Sequence, residues 1–173
     1  PPSAAREPTN HKFLTALSSQ DAVFVMTLEP TVKQCFKQKR PPGVRDGALP
    51  YVCWRPDLRR GKNAFKQNSD PMLVIAWGNQ VLLLQAMLSW LMMEDDPDDA
   101  EIKLIPKGSY QSSGEIQLIT WLNPQVFVFV DDEWNMYVFD PSRLEVMETR
   151  EITRLGLVSH AYFKSEGGAV DDE

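Results

Sequence analysis

The chain has 173 residues and a mass of 19.7 kDa, which suffices for one ordinary domain and is too small for two large ones. Because 43% of its residues are hydrophobic and 24% are charged, the composition excludes a chain that is disordered throughout. The formal net charge of -6 and the pI near 5.0 argue against a general nucleic-acid binder, which would be basic.

The first quarter of the chain predicts a tail followed by three short strands. Residues 1–12 are polar and rich in proline, which is typical of a tail. Apolar and β-branched segments then follow at residues 13–19, 22–28 and 32–36, a composition that favours strands. Pro41-Pro42-Gly43 ends this unit.

A second unit repeats the pattern with two long insertions. Strands are predicted at residues 49–54, 71–77 and 102–105, with a further strand starting at Gln80 after the tight turn Gly78-Asn79. The basic segment 55–70 and the acidic segment 94–99 lie between these strands and predict surface loops. Residues 81–93 also contain a helical spacing of apolar side chains, but a strand is favoured because the segment follows a hairpin turn.

A third unit predicts four strands, at residues 116–122, 126–130, 134–140 and 144–148. The strand at 126–130 is entirely apolar, as expected for a strand that is covered on both faces. Residues 166–173 contain two glycines and four acidic residues, and predict a flexible acidic tail.

The three units predict the blades of a β-propeller. Trp54 and Trp121, which are 67 residues apart, each end a first strand, and each is followed by a very apolar strand and a returning strand. Such up-and-down units are typical of propeller blades, whose inner strands are covered by their neighbours. We therefore predict an all-β fold of about three antiparallel blades at residues 13–46, 47–105 and 106–165, and a β-sandwich is the alternative. Three blades cannot close a ring, so the propeller is partial.

Little in the sequence points to catalysis, a metal or a cofactor. His11 and His160 lie far apart, and no nucleophile motif or glycine-rich phosphate loop is present. The triplet Asp131-Asp132-Glu133 lacks the spacing of a calcium loop and predicts a solvated hairpin turn. We expect a protein that is not an enzyme and needs no cofactor; a small all-β hydrolase that uses a histidine is the alternative.

The remaining exclusions concern the cell compartment. Cys35 and Cys53 have no CxxC spacing, so they predict reduced thiols in a cytosolic protein and neither a disulfide scaffold nor a structural zinc site. The most apolar run, residues 81–93, is too short to span a bilayer. The chain starts with Pro-Pro and without a methionine, from which we expect a piece of a longer protein.

The basic segment is the first candidate contact site. Residues 1–70 hold 12 Lys and Arg against 6 Asp and Glu, whereas the rest of the chain holds 6 against 18. The candidate contact residues in this segment are Arg55, Arg59, Arg60, Lys62 and Lys66. They would attract an anionic membrane surface or an acidic protein surface; a mobile surface loop is the alternative interpretation.

The tryptophans provide the second candidate. Trp54, Trp77 and Trp121 lie at strand ends and are expected in the core. Trp90 and Trp134 lie beside polar or acidic residues and are expected to be partly exposed. Trp134 is therefore a candidate interface anchor, with core packing as the alternative.

Six short segments, in chain order, also resemble a known family. They are residues 28–33 (LEPTVK), 71–76 (PMLVIA, ahead of Gly78), 119–123 (ITWLN), 138–140 (VFD), 148–152 (ETREI) and 162–165 (YFKS). Together they resemble the vacuolar protein sorting-associated protein 8 family, the endosome-specific subunit of the CORVET tethering complex. The resemblance runs from about residue 13 to 168.

The resemblance implies a fold and a function. Members of the family combine an N-terminal WD-repeat-type propeller, a long α-solenoid and a RING-like zinc module, so this chain would be part of the propeller only. The implied partners are an early-endosomal Rab GTPase in its GTP form and the other CORVET and class C tethering subunits. The implied location is cytoplasmic, peripheral on the early endosome membrane, with a role in vesicle tethering and fusion. The insertions at 55–70 and 94–99 depart from the family, so no binding residue is carried over; an unrelated propeller adaptor is the alternative.

Overall fold

The computed structural model describes residues 4–6, 14–28, 32–56, 71–89 and 101–152, where three four-stranded antiparallel sheets account for the regular structure. The first sheet contains β1 (Ala4–Arg6), β2 (Leu14–Ser18), β3 (Ala22–Thr27) and β4 (Lys33–Lys39). The second contains β5 (Tyr51–Trp54), β6 (Met72–Trp77), β7 (Gln80–Ser89) and β8 (Glu101–Gln111). The third contains β9 (Ile116–Asn123), β10 (Val126–Asp131), β11 (Asn135–Asp140) and β12 (Glu145–Glu151). In each sheet the strands follow one another in chain order.

The sheets are arranged as the blades of a propeller. Their first strands lie side by side, because β5 contacts both β1 and β9, and the outer strands β4 and β8 also contact each other. This arrangement confirms the predicted all-β fold of about three antiparallel blades and excludes a sandwich of two sheets. In the described part of the chain no helix is long and apolar enough to cross a membrane.

Strand β6 holds the three blades together because it is buried on both faces. Leu73, Ile75 and Trp77 belong to a core shared with the first sheet, where Val23 and Val25 are fully buried. The residues that alternate with them, Val74 and Ala76, belong to a second core shared with the third sheet. Full burial of each of the leucine, isoleucine and valine side chains stabilises the fold by about 1.5–3 kcal/mol.

The second core is built from stacked aromatic rings. Phe129 stacks on Tyr137 with ring centroids 4.7 Å apart, and Phe127 stacks on Phe139 at 4.9 Å. Tyr110 of the second sheet lies 5.6 Å from Phe129 and also 5.6 Å from Phe139. These rings bury a large area and prefer offset or edge geometries, so they orient the third blade against the second.

Each sheet has a β-bulge between its third and fourth strands, at Val25/Met26, Leu83/Leu84 and Val138/Phe139. In the second sheet Leu83 pairs with Gly108 and Leu84 with Pro106, which leaves Lys107 as the extra residue. The strand predicted at 102–105 therefore continues to Gln111 instead of ending at Pro106. An edge strand tolerates proline because its outer side needs no N–H donor.

Two further sequence predictions can be checked against the observed strands. Ala4–Arg6, expected in the tail, pairs with β2 through Ala4↔Leu17 and Arg6↔Thr15, so the tail prediction is wrong for these three residues. Such a short edge strand needs only backbone hydrogen bonds and leaves no hydrophobic pattern to read. Gln80–Ser89 is a strand, which confirms the strand over the helix.

The tryptophans predicted in the core lie there. Trp54 and Trp77 are buried, and the half-buried Trp121 packs against the second core. Four other features of the sequence analysis lie outside the described residues: His11, Trp90, His160 and the tail at 166–173.

Trp77 provides a test of the core between the first two blades. Its side chain is 1% exposed, and its indole N–H donates to the carbonyl of Ala48 at 2.9 Å. We expect Trp77→Ala to lower the free energy of unfolding by about 3–5 kcal/mol, because it leaves a large cavity and an unpaired carbonyl. Leu122→Ala, at a side chain that is 61% exposed, should change it by less than about 0.5 kcal/mol in the same urea titration. Equal midpoints for the two variants would contradict this packing.

Candidate interaction surface

The blades have two ends with different kinds of connection. The amide of Ile116, at the start of β9, donates to Gly78 O at 2.7 Å, and Trp121 Nε1, near the end of β9, donates to Cys53 O at 3.4 Å. Strands β5 and β9 therefore run in the same direction. We call the end that holds the turns at 19–21, 78–79 and 132–134 the turn end. The opposite end, where β5, β7, β9 and β11 finish, is the loop end.

Arg55 lies at the loop end, directly after β5. Its backbone amide donates to Met72 O at 2.8 Å, and its guanidinium Nη1 lies 2.9 Å from Met72 Sδ. The side chain is half-buried, so it is fixed at the root of the basic segment. The other four basic candidates, Arg59, Arg60, Lys62 and Lys66, lie outside the described residues.

Both insertions are attached to the loop end of the same blade. The basic segment connects β5 to β6, and the acidic segment connects β7 to β8, whose ends pair through Ser89↔Glu101. Segment 55–70 holds five basic and two acidic residues, whereas segment 94–99 holds five acidic residues and no basic one. The sequence shows two charged insertions; only the strand order shows that they leave one blade at one end.

Trp134 lies at the turn end, in the turn between β10 and β11. Its φ of 66° places it in the left-handed region, which is uncommon for a bulky residue and unfavourable by about 1–2 kcal/mol. Its amide donates to Asp131 O at 3.1 Å, and its carbonyl accepts from Ile152 N at 2.9 Å. The side chain is half-buried. Because Arg55 lies at the loop end, the two described candidates do not belong to one surface.

Asp131 holds this turn in place from inside the protein. Its Oδ1 accepts from the amides of Glu133 at 3.1 Å and Asn135 at 2.8 Å. Its Oδ2 accepts from Asn135 Nδ2 at 3.2 Å and from Tyr137 Oη at 2.8 Å. The residue is only 1% exposed. The hairpin turn predicted for the acidic triplet is present, but the prediction that it is solvated is wrong for Asp131, whose charge is compensated by four donors.

A second carboxylate shapes the turn after β11 at the loop end. Asp140 Oδ1 accepts from the amide of Ser142 at 2.8 Å and from its hydroxyl at 2.6 Å. These hydrogen bonds favour the charged form and lower the pKa of Asp140. Leu144 completes the turn with a φ of 59°. Both acidic turns thus use their carboxylates to stabilise backbone that has little regular hydrogen bonding.

Two observations on the described residues concern metal binding and thiol reactivity. No group of three or more His, Cys, Asp or Glu in these segments could hold a metal ion. Burial raises the pKa of the Cys53 thiol to about 12, so it is protonated at neutral pH and is not a nucleophile.

The outer strands carry a feature that the sequence analysis did not single out. Five lysines lie on the outer strands of the first two blades, Lys33, Lys37 and Lys39 on β4 and Lys103 and Lys107 on β8, and all five are exposed. The outer strand of the third blade instead carries Glu145, Glu148 and Glu151 with Arg150. The signal was available as charged residues in the last predicted strand of each unit, but only the contacts between strands show that β4 and β8 are neighbours.

We expect Asp131→Ala to lower the free energy of unfolding by about 2–4 kcal/mol, because buried donors lose their acceptor and the Tyr137 hydroxyl is left with its hydrogen bond to Ser113. Glu133→Ala is the matched control, because the Glu133 carboxylate is exposed and its hydrogen bond from Asn135 Nδ2 is long, at 3.5 Å. Thermal unfolding monitored by circular dichroism should separate the two variants. Coincident transitions would show that the Asp131 network does not stabilise the turn.

Comparison with known proteins agrees with this architecture. The WD40 domain of SCAP from fission yeast is a similar solved structure, with a TM-score of 0.56 and 12% identity, covering 88% of this chain and 31% of that chain. The similarity shows the fold, and this chain spans about a third of the length of that structure. No curated protein sequence matches the chain. The family described as the Vps8 beta-propeller matches residues 1–172, and the chain therefore belongs to the Vps8 beta-propeller family.

Proposed function

We propose that this propeller is the interaction scaffold of an endosomal tethering subunit and has no enzymatic activity. It binds an early-endosomal Rab GTPase in its GTP form and, with the other CORVET and class C tethering subunits, promotes vesicle tethering and fusion. Its place is the cytoplasmic side of the early endosome membrane. The observation that carries the proposal is the family match over residues 1–172.

The rigidity of the blades supports a scaffold role. Strand β6 is buried on both faces and the second core is filled by stacked rings, so the ends of the strands are held in fixed positions. Loops placed on such a rigid frame are the usual carriers of binding residues. Recognition of the GTP form requires a surface that contacts segments ordered by the γ-phosphate.

We place the Rab contact at the loop end of the second blade. Arg55 is fixed there by Met72, and Arg59, Arg60, Lys62 and Lys66 follow in the same connection. A basic segment attracts an acidic protein surface mainly by raising the association rate. Each of the same charges would add about 1 kcal/mol of binding free energy near an anionic membrane. A tether on an endosome has to face such a membrane. Trp134 lies at the opposite end and would serve a different contact.

The nucleotide dependence tests the effector role directly. The chain should retain an early-endosomal Rab loaded with a non-hydrolysable GTP analogue on the order of tenfold better than the GDP form in a pull-down. The same Rab without a bound nucleotide serves as the second reference. Equal retention of the GTP and GDP forms would contradict the effector role.

A charge-reversal pair tests the proposed contact. Arg59→Glu with Arg60→Glu should lower the association rate of the GTP-bound Rab by about tenfold at low salt and flatten its dependence on ionic strength. Lys39→Glu with Lys107→Glu makes the same change in charge at exposed positions away from the loop end, and should leave this rate unchanged. If the two pairs of substitutions slow association equally, the net charge of the whole protein determines the association rate, and the loop end is not the contact.

A further inference from the structure

The second blade extends beyond the third at the loop end. Strands β7 and β8 contain 10 and 11 residues, whereas β10 and β11 contain 6 residues each. Near the turn end, the side of β7 that faces the third blade is buried, because Val81 and Leu83 belong to the second core. On the same side of β7 but closer to the loop end, Met87 is exposed. The third blade therefore covers only part of this side of the second blade.

Met87 and Ile105 are neighbours on the uncovered part. Ile105 of β8 pairs with Gln85 of β7, so Met87, two residues further along β7, is its diagonal neighbour at a Cα distance of about 7–8 Å. Met87 is 43% exposed and Ile105 is 40% exposed. The opposite side of this pair of strands is buried, because Ala86 and Leu104 belong to the core shared with the first blade. The two strands are therefore held in place while one of their sides is open to solvent.

Leu144 continues the row from the third blade. It is 41% exposed, and a Cβ on Gly108 would lie 2.6 Å from its Cδ2, so the leucine side chain lies on this glycine. The partners of Gly108 and Ile105 are two residues apart on β7, which places the Leu144 side chain about 7 Å from Ile105 along the strands. The amide of Leu144 donates to Asp140 O at 2.9 Å, which fixes the turn. We call Met87, Ile105 and Leu144 together the apolar ledge.

The apolar ledge adjoins the root of the basic segment. Met72 of β6 pairs with Gln85, which in turn pairs with Ile105. Arg55 donates its amide to Met72 O at 2.8 Å, and its guanidinium lies beside Met72 Sδ. Four adjacent strands thus carry a single row that leads from Arg55 to Ile105. The ledge is therefore continuous with the contact that we place at the loop end.

The apolar ledge supplies what a charged segment lacks. Charged side chains act mainly on the association rate, whereas a few residues that lose all contact with water at the centre of an interface provide most of its affinity. Methionine is enriched in such interface centres. The charged residue beside Leu144 is already paired, because Arg143 Nη1 lies 3.4 Å from Glu145 Oε1. Binding at the ledge therefore depends on apolar burial.

The fixed backbone of the ledge favours a partner surface that is itself ordered. A partner segment that is disordered before binding would lose conformational entropy on the ledge and bind more weakly. The switch segments of a GTPase are ordered by the γ-phosphate and released after hydrolysis. A row of apolar side chains in fixed positions thus has a physical reason to bind the GTP form better than the GDP form.

We propose that the apolar ledge is the affinity-determining part of the Rab contact. It buries apolar side chains of the switch segments of the GTP-bound Rab, while the basic segment beside it attracts the acidic surface of the same Rab. This inference rests on the proposed function and assigns the contact three residues outside the basic segment. The two parts have different kinetic roles, because the basic segment acts on the association rate and the ledge on the dissociation rate.

Substitution of the two strand residues of the ledge tests this role. Met87→Thr with Ile105→Thr removes both apolar side chains, and threonine is well suited to a strand. In biolayer interferometry with the full chain, the dissociation rate of the Rab loaded with a non-hydrolysable GTP analogue should rise at least about tenfold, while the association rate changes less than about twofold. Leu17→Thr with Leu118→Thr is the matched control, at exposed side chains near the turn end, and should leave both rates unchanged. Equal dissociation rates for the two pairs would overturn the proposal.

A third substitution keeps the test independent of the strands. Leu144→Asn removes the apolar side chain and preserves the turn, because asparagine tolerates the φ of 59° at this position. It should raise the dissociation rate about threefold or more and leave the midpoint of urea unfolding nearly unchanged. A dissociation rate equal to that of the parent would show that the ledge does not extend to the third blade and would contradict the proposal.

A control at the other end of the blades locates the contact. A cleft of about 130 Å³ opens between the first two blades at the turn end, beside Trp77, and is lined also by Gln38 and Ser109. Ser109→Phe fills this cleft and should leave both rates unchanged. Faster dissociation for Ser109→Phe than for the ledge variants would place the Rab at the turn end and overturn the proposal.

The failure of this inference differs from the failure of the proposed function. If the GTP-loaded Rab binds better than the GDP-loaded Rab and the ledge variants keep its dissociation rate, the effector role stands and the ledge is not the contact. If the two nucleotide forms bind equally or neither binds, the effector role fails and the inference fails with it.

Discussion

The fold depends on one strand that is buried on both faces. In β6 alternate side chains enter two different cores, Leu73, Ile75 and Trp77 on one side and Val74 and Ala76 on the other. A strand with two apolar faces has weakly specified register, because a shift by one residue exchanges one apolar set for another. The register must therefore be fixed by something other than hydrophobic burial.

Two contacts at the turn end provide that register. The indole N–H of Trp77 donates to Ala48 O at 2.9 Å, which ties the end of β6 to the linker before β5. Gly78 then has a φ of +60°, and a Cβ there would lie 2.9 Å from Val44 Cγ2. Glycine suits both the left-handed turn and the close approach of Val44, because a Cβ at this position would be strained and would require the Val44 side chain to shift. Once β6 is fixed, the cleft beside Trp77 and the position of β9 beside Gly78 are fixed as well.

The outer edges of the blades follow a different constraint. An exposed strand edge invites pairing with other chains, and bulges and charged residues prevent this. Each of the three outer pairs has a bulge, and each outer strand carries exposed charges. Edge protection therefore accounts for the exposed charged residues on these strands.

The sequence predicted what depends on local patterns. The apolar segments that became β6 and β10, the Gly78-Asn79 turn and the strand from Gln80 all follow from side-chain type and turn chemistry. The features missed depend on pairing between distant segments. Pro106 suggests a strand end until Lys107 is seen as the extra residue of a bulge. Likewise Asp131 looks like a solvated turn residue until Tyr137 brings a buried hydroxyl to it.

The candidate site was predictable only in part for the same reason. Basic residues that follow one another, such as Arg59 and Arg60, can be recognised in a single segment of the sequence. The cleft between the first two blades cannot, because residues that line it, such as Gln38, Trp77 and Ser109, come from different strands. Equally, nothing in the local sequence shows that Arg55 and Trp134 lie at opposite ends of the blades.

That separation has an electrostatic consequence. A six-residue strand such as β6 is about 17–20 Å long, whereas the Debye length at an ionic strength of 0.1 M is about 10 Å. A charge at the loop end is therefore largely screened from a ligand at the turn end. The uneven charge of the chain, basic before residue 70 and acidic after it, does not act as one field in the folded protein. It is divided between the two ends of the blades and the outer strands, so that charges at one end have little influence at the other.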